Sequence, residues 1–293
     1  LVLALAKEKK ADLVLANDPD ADRLAVAVPD GRGGYVQLSG DQVGALLGYY
    51  LLTEGGGGSE RLVCTTIVSS ALLGQMASQL GVQYAETLTG FKWIANRALE
   101  LQQAKGYRFV LGYEEALGYT VGEVVRDKDG VSAAAVFAEL AAHCHRRGQS
   151  VLQYLEELYR RFGLFRSQQH SATLPGSEGL SKIRGIMQAL RETRIDAIGP
   201  VKVVASRDLK SGVRTSAEGT QKLELPSSDV LVYELDGGGR ITVRPSGTEP
   251  KIKCYFELRE AIAPGEPFAD AQRRADARMA VLMKDFLALA HIP

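Results

Sequence analysis

The sequence predicts an α/β protein with a separate α+β portion at its C-terminal end, and three observations carry that expectation. Between residues 61 and 146, apolar β-branched runs alternate with segments of helical period, the order of a layered and largely parallel sheet. The texture changes at FGLFRSQQHSATLPGSEG, near residue 166. Beyond it, short strands separated by Gly and Ser turns stand between two helices, the pattern of an antiparallel sheet with helices packed on it.

LVLALAKEKKA reads as the end of a helix with no cap before it, and it begins at Leu1 rather than Met, so further chain is expected upstream. DLVLAN is a buried strand, NDPDADR an acidic loop, and RLAVAV a second strand closed by the turn PDGRGG. These residues, 1–37, read as the tail of one domain. Residues 41–53 carry apolar side chains at helical spacing, and EGGGGSE is a flexible loop. LVCTTIVS is a strand leading into the helix SALLGQMASQLG. VQYAETL, IANRALELQQAKG, RFVLGY and VSAAAVFAELAAHCHRR then continue as strand, helix, strand and helix, and a further helix covers 151–161. A second domain therefore spans 38–166. The third, 167–293, holds the helix LSKIRGIMQALRET, the strands PVKVVASRD, VLVYEL, GRITVRP and KIKCYFELR, and the closing helix FADAQRRADARMAVLMKDFLALA.

With 293 residues, 45% of them hydrophobic, the chain can bury substantial cores in two domains. Lys plus Arg equals Asp plus Glu at 35 each, so no global field draws it to nucleic acid or to an anionic membrane surface. Neither is expected as a partner, and any phosphate binding must be local. The three cysteines, Cys64, Cys144 and Cys254, lie far apart with no C-x-x-C pair, which argues against a disulfide framework and a structural zinc and for a reducing cytoplasm. No apolar run approaches the roughly 20 residues that span a bilayer.

Chemistry concentrates in loops that follow strands. In D-P-D-A-D, Asp18, Asp20 and Asp22 alternate, so in an extended loop all three can turn to one side and coordinate a hard cation, best Mg²⁺, through oxygen. A calcium EF-hand is a poor match, because Arg23 stands where that loop needs Gly. R-P-S-G-T-E-P-K has the parts of a phosphate cradle: Arg244 bidentate, Ser246 and Thr248 donating hydroxyls, Gly247 bringing backbone N–H groups close, and Glu249 pointing away. G-Y-E-E-A-L-G-Y ends an apolar strand with Glu114 and Glu115, a fixed acceptor of the kind that recognises neighbouring sugar hydroxyls, or equally a helix-start or ion-pair carboxylate. T-L-T-G-F-K and R-D-K-D-G each offer a lysine, Lys92 and Lys128, on a loop after a strand, though taken singly each reads better as a solvated surface charge. Ligand sites in α/β sheets gather at strand carboxyl ends, so these loops suggest one cleft.

The motif set D-P-D-A-D-R (18–23), T-G-F-K (89–92), E-E-A-L-G (114–118), K-D-G (128–130) and R-P-S-G-T-E-P-K (244–251) resembles, in order and spacing, the α-D-phosphohexomutases, the phosphoglucomutase and phosphomannomutase group. TLTGFKWI and RDKDGVSAA look most like the branch of the bacterial phosphoglucomutases and the animal phosphoglucomutase-2 and phosphopentomutase type. The resemblance implies a four-domain enzyme, of which residues 1–37 end domain 2, 38–166 form the sugar-binding α/β domain 3, and 167–293 form domain 4, similar to the TATA-binding-protein fold.

It further implies that Asp18, Asp20 and Asp22 hold Mg²⁺ with a phosphoserine oxygen, and that Arg23 sits beside the transferring phosphoryl group. Thr89, Gly90, Lys92, Glu114, Ala116 and Lys128 would meet the sugar phosphate, and Arg244, Ser246, Gly247 and Thr248 would clamp the phosphate that is not reacting. The implied reaction interconverts sugar 1-phosphate and 6-phosphate, best glucose, with mannose or pentose phosphates as alternatives. It runs through phosphoserine and a bisphosphate that turns end for end, with a glucose 1,6-bisphosphate-type activator.

Two departures stand out. The family's T-A-S-H-N-P type serine loop has no counterpart in these residues, so the chain alone is expected to be inactive, to bind Mg²⁺ weakly and to need the N-terminal domains. Ala116 replaces a Ser that many members carry, which removes one hydrogen bond to the sugar. Two alternatives are a sugar-phosphate-binding protein without catalysis and a haloacid-dehalogenase-like phosphatase. The phosphatase motif has Thr or Val where Asp22 stands.

Overall fold

The structure, a computed structural model, describes residues 1–247 and 249–293, and at Ser177 the backbone alone. It divides into two compact units, Leu1–Phe162 and Gly163–Pro293. The second unit starts just ahead of a strand, and the position expected for a domain boundary, 166/167, falls inside that strand.

In the first unit, α1 (Val2–Lys9) ends where Lys10 turns into the left-handed region at φ 51° and lies on β1 (Val14–Asn17). β1 pairs antiparallel with β2 (Leu24–Pro29), and β2 with β3 (Tyr35–Gln37). α2 (Gly40–Glu54) begins at a reciprocal cap: Ser39 Oγ accepts the Gln42 N–H, and Gln42 Oε1 accepts the Ser39 N–H. β4 (Arg61–Thr66), buried throughout, is parallel to β5 (Gln83–Thr87) on one side and β6 (Arg108–Glu114) on the other. β7 (Gly118–Val121) runs antiparallel to β6 and completes the order β5-β4-β6-β7. Full burial of β4 explains its apolar centre, Leu62-Val63-Cys64, because a parallel strand covered by helices has no solvent face.

α3 (Leu72–Leu80), α4 (Phe91–Lys105), α5 (Gly130–Arg146) and α6 (Val151–Phe162) complete the unit. α4 packs on β4, β5 and β6, and α5 on β1, β2 and β7, so α5 ties the first small sheet to the second. α2 approaches β6 so closely that a Cβ on Gly44 would meet the Tyr113 ring at 2.5 Å. Only glycine allows that spacing.

In the second unit, β8 (Leu164–Thr173) is followed by α7 (Ser177–Glu192), β9 (Ala197–Ile198), β10 (Val201–Asp208), β11 (Val213–Ser216) and β12 (Gly219–Lys222). β13 (Leu231–Leu235), β14 (Arg240–Pro245), β15 (Lys251–Glu260) and α8 (Phe268–Leu289) follow. The antiparallel sheet runs β12-β11-β10-β13-β14-β15-β8, with β9 on β10. α7 and α8 bring Ile183, Met187, Met279, Leu282 and Phe286 onto Ile241, Val243, Cys254 and Phe256 of the sheet in one apolar core. Phe286 is fully buried, edge-on to Phe256 at 5.7 Å between ring centres. Phe286→Ala is therefore expected to cost about 3–5 kcal/mol, read from denaturant unfolding.

The α/β and α+β layers match expectation, and four local readings need correction. LVCTTIVS leaves the sheet at Thr66, not Ser69, because the Ser69 N–H closes a turn on Thr66 O and the two side-chain hydroxyls bond at 2.9 Å. The following helix starts at Leu72 rather than at Ser70, whose hydroxyl accepts the Leu72 N–H. FRSQQHSAT lies within β8, a sheet edge that among the described residues pairs only with β15, where exposed Gln and Ser side chains hide the strand signal. VRTS and GTQK form an exposed hairpin, β11 and β12, without apolar alternation. The three cysteines are free and buried, and burial pushes the Cys64 and Cys254 thiols up to about 12. Among the described residues no helix is long and apolar enough to cross a membrane.

Candidate active site

The acidic loop between β1 and β2 folds back on itself. Asp18 Oδ1 accepts the Arg23 N–H at 3.2 Å, the Asn17 side chain donates to Arg23 O at 2.7 Å, and Ala21 sits at φ 56°, uncommon for a residue with a Cβ. The loop is anchored from outside by α5. The Gly130 N–H donates to Ala21 O at 3.1 Å, and a Cβ on Gly130 would lie 2.3 to 2.8 Å from Asn17 Nδ2, Arg23 O and Ala21 O. The K-D-G glycine is thus a contact surface for the aspartate loop.

The segment 114–118 joins that loop to the others. Glu114 Oε1 accepts the Gly90 N–H at 2.6 Å, tying it to residues 89–92, and among the described residues Glu114 Oε2 has no partner. Leu117, at φ 66°, offers its carbonyl to the Leu24 N–H, and Gly118 forms an isolated antiparallel bridge with Arg23. Lys128 crosses the same point: its Nζ is 3.3 Å from Asp22 Oδ2, 3.6 Å from Asp127 Oδ1 and 5.6 Å over the Phe91 ring. A Cβ on Gly118 would meet Lys128 Cδ at 2.6 Å and Phe91 Cε2 at 3.1 Å. Glycine there gives the lysine its path.

Asp18, Asp22, Arg23, Gly90, Glu114 and Lys128 therefore share one linked cluster in the first unit. Thr89 is half-buried beside Gly90, Ala116 is exposed on the 114–118 segment, and Lys92 is exposed with its Nζ 5.3 Å over the Trp93 ring. The cluster also includes residues that sequence reasoning passed over: Phe91 floors Lys128 and Asp127 flanks it. Behind the 114–118 segment, outside the cluster, Ser69 bonds Glu115. The signal for Ser69 was available in the Ser-Ser pair that follows a buried strand.

In kind, three carboxylates on alternate loop positions fit a hard cation such as Mg²⁺. In arrangement they are not gathered: among the described residues no three carboxylate, imidazole or thiol groups converge enough to hold an ion. Asp20 is exposed, and Asp22 is engaged by Lys128 with Arg23 Nε a further 4.0 Å away. The Lys128 ammonium brings one positive charge to the loop from outside it, at Asp22.

Asp129 caps α5 by accepting the Val131 and Ser132 N–H groups. Burial pushes its carboxyl upward, but the Ser132 and Val131 hydrogen bonds outweigh it and hold it below the usual range. The cap's contribution is then complete above about pH 3.9 and lost as pH falls through the lowered value. Asp129→Ala is expected to cost about 1 kcal/mol at pH 7 by urea unfolding, and less as pH drops below about 4.

In the second unit, β14 carries Arg244 opposite Lys253 of β15. The connecting turn is closed by the Ser246 N–H on Lys251 O at 2.7 Å, and Gly247 has open space where a Cβ would stand. Lys251 Nζ bonds Glu249 Oε2 at 2.8 Å and holds that exposed carboxyl below its ordinary range. The acid is thereby occupied on a neighbouring lysine. Thr248 lies outside the described residues.

Residues 39–162 match the family profile "Phosphoglucomutase/phosphomannomutase, alpha/beta/alpha domain III", and residues 200–263 match that family's C-terminal domain. The chain belongs to the α-D-phosphohexomutase family. A probable phosphomannomutase of Haemophilus influenzae is 42% identical over 260 residues, 88% of this chain and 48% of that protein. A human phosphopentomutase is 38% identical over 270 residues, 88% of this chain and 44% of that one. The crystal structure of the Paramecium phosphoglucomutase parafusin superposes with a TM-score of 0.65 at 21% identity, covering all of this chain and 48% of that one, a likeness of fold. The chain spans about half the length of the relatives it matches. The α/β and α+β units carry the phosphohexomutase fold, and the family consists of phosphomutase-type isomerases.

Proposed function

We propose that this chain supplies the sugar-binding and phosphate-binding parts of a cytoplasmic phosphosugar mutase, interconverting sugar 1-phosphate and 6-phosphate through a phosphoserine and a bisphosphate. Residues 1–37 end domain 2, 38–162 form domain 3 and 163–293 domain 4, with the boundary drawn ahead of β8. The observation that carries the reading is the junction of loops at Gly118, where Arg23 bridges and the Lys128 side chain passes to Asp22. It puts two cations, a carboxylate with an uncommitted oxygen and the aspartate loop into one cluster. Phosphoryl transfer needs little covalent help and much positioning and charge stabilisation, which such a cluster supplies.

Glu114 accepts hydrogen bonds from sugar hydroxyls through Oε2, with Thr89, Gly90, Lys92 and Ala116 as further contacts to the sugar phosphate. Lys128 and Arg23 neutralise the phosphoryl group in transfer. Arg244, Ser246, Gly247 and Thr248 clamp the other phosphate and accept either end of the sugar, because the bisphosphate turns end for end between the two half-reactions. Asp18, Asp20 and Asp22 would hold Mg²⁺, which when bound adds positive charge at the transferring group. The nucleophilic serine and the remaining domains come from chain outside these residues, and a glucose 1,6-bisphosphate-type activator primes the cycle.

Glucose phosphate is the proposed substrate, with mannose and pentose phosphates as the competitors that the names of the relatives bring forward. A coupled assay on the complete protein, run over glucose, mannose and pentose 1-phosphates, tests class and preference together. Release of inorganic phosphate without isomer formation would replace the mutase reading by the phosphatase.

A further inference from the structure

Of the two adjacent glutamates, only Glu114 faces the loop cluster. Glu115 turns the other way, onto Ser69, a residue that is 1% exposed. The Ser69 hydroxyl accepts the Glu115 N–H at 3.2 Å, donates to Glu115 Oε2 at 3.1 Å and lies 2.9 Å from Thr66 Oγ1. A hydroxyl has one proton and two lone pairs, so with the proton on Glu115, Thr66 is the donor and Ser69 Oγ is saturated. The carbonyl of Glu115 is packed from a third side by the start of α2, where a Cβ on Gly40 would come within 2.0 Å of it. Residue 115 is thus held through its N–H, its carboxylate and its carbonyl.

The N–H that Ser69 accepts belongs to the peptide plane between residues 114 and 115. Fixing that plane fixes the direction from which the Glu114 side chain leaves, and hence its 2.6 Å bond to the Gly90 N–H and the orientation of Oε2. We propose that Ser69 is a positioning residue: by clasping Glu115 it sets the aim of Glu114, and through it the affinity for the sugar phosphate rather than the rate of phosphoryl transfer. This rests on the mutase reading given above.

The test uses the complete protein and two readouts. In hydrogen exchange, Ser69→Ala should speed exchange of the Gly90 amide about tenfold, the scale of one hydrogen bond to a charged group, while the amides of β15 stay as they were. Glu115→Ala, which keeps the N–H bond and loses the carboxylate, should give a smaller change, and Glu115→Gln, which keeps an acceptor for the hydroxyl, should restore slow exchange. In turnover, Ser69→Ala should raise the KM for glucose 1-phosphate about tenfold and leave kcat within about twofold.

Unchanged Gly90 exchange in folded Ser69→Ala overturns the proposal, as does faster exchange with an unchanged KM, which would leave Ser69 a purely structural residue. If Ser69→Ala does not fold, Glu115→Ala decides by the same two measures. The unaltered protein is assayed alongside: absence of isomerisation there overturns the functional reading, and this role with it, whatever the exchange data show.

Discussion

Lys128→Met is expected to reduce sugar-phosphate turnover in the complete protein by about 10²- to 10³-fold, the usual loss when one charge-stabilising donor is removed from a reacting centre. Methionine keeps the apolar stem that runs between Gly118 and Phe91 and removes only the ammonium. Packing around the stem is preserved, so the unfolding midpoint should move little. The loss should fall on kcat as well as kcat/KM, because a charge that matters most in the transition state lowers both. Loss confined to KM would reduce Lys128 to a ground-state phosphate contact.

Gly130→Ala is expected to destabilise the first unit by about 1–3 kcal/mol, the common cost of overpacking. Helix propensity alone predicts the opposite, since alanine in a helix is favoured over glycine by about 1 kcal/mol. The clash reverses the sign. Two of the three atoms that a Cβ would strike are backbone carbonyl oxygens of the aspartate loop, which cannot swing aside as a side-chain tip could. The loop itself must move, and activity should fall further than stability alone accounts for. Urea unfolding and the coupled assay, read on the same preparation, separate the two effects.

How much of this was legible beforehand follows from what each element depends on. β4, α4 and α5 were readable because burial on two sides or one stripe writes itself into apolar period. β8 was not, because an edge strand is held by the ladder of β15 and tolerates Ser and Gln on its open side. In the site, Asp18 and Asp22 stood out as charge set between apolar strands, whereas Glu114 and Lys128, each ordinary on its own loop, gained weight only from the motif set they belong to. Ser69 and Phe91 did neither, since a buried hydroxyl and a core aromatic look like packing until their partners are known. The division of labour between Glu114 and Glu115 was equally hidden: adjacent identical residues differ only in which loop lies on which side.

The 114–118 segment has one more consequence, for how such a site can diversify. Four of its five positions are committed, to Gly90, to Ser69, to Leu24 and to Arg23 with Lys128, and each commitment depends on the spacing between them. A change of length there would break several at once. Ala116, the one member with an exposed side chain, is spared by that constraint. A substitution at position 116 can therefore change what the segment presents to solvent without disturbing the four contacts that hold it, whereas an insertion or deletion cannot.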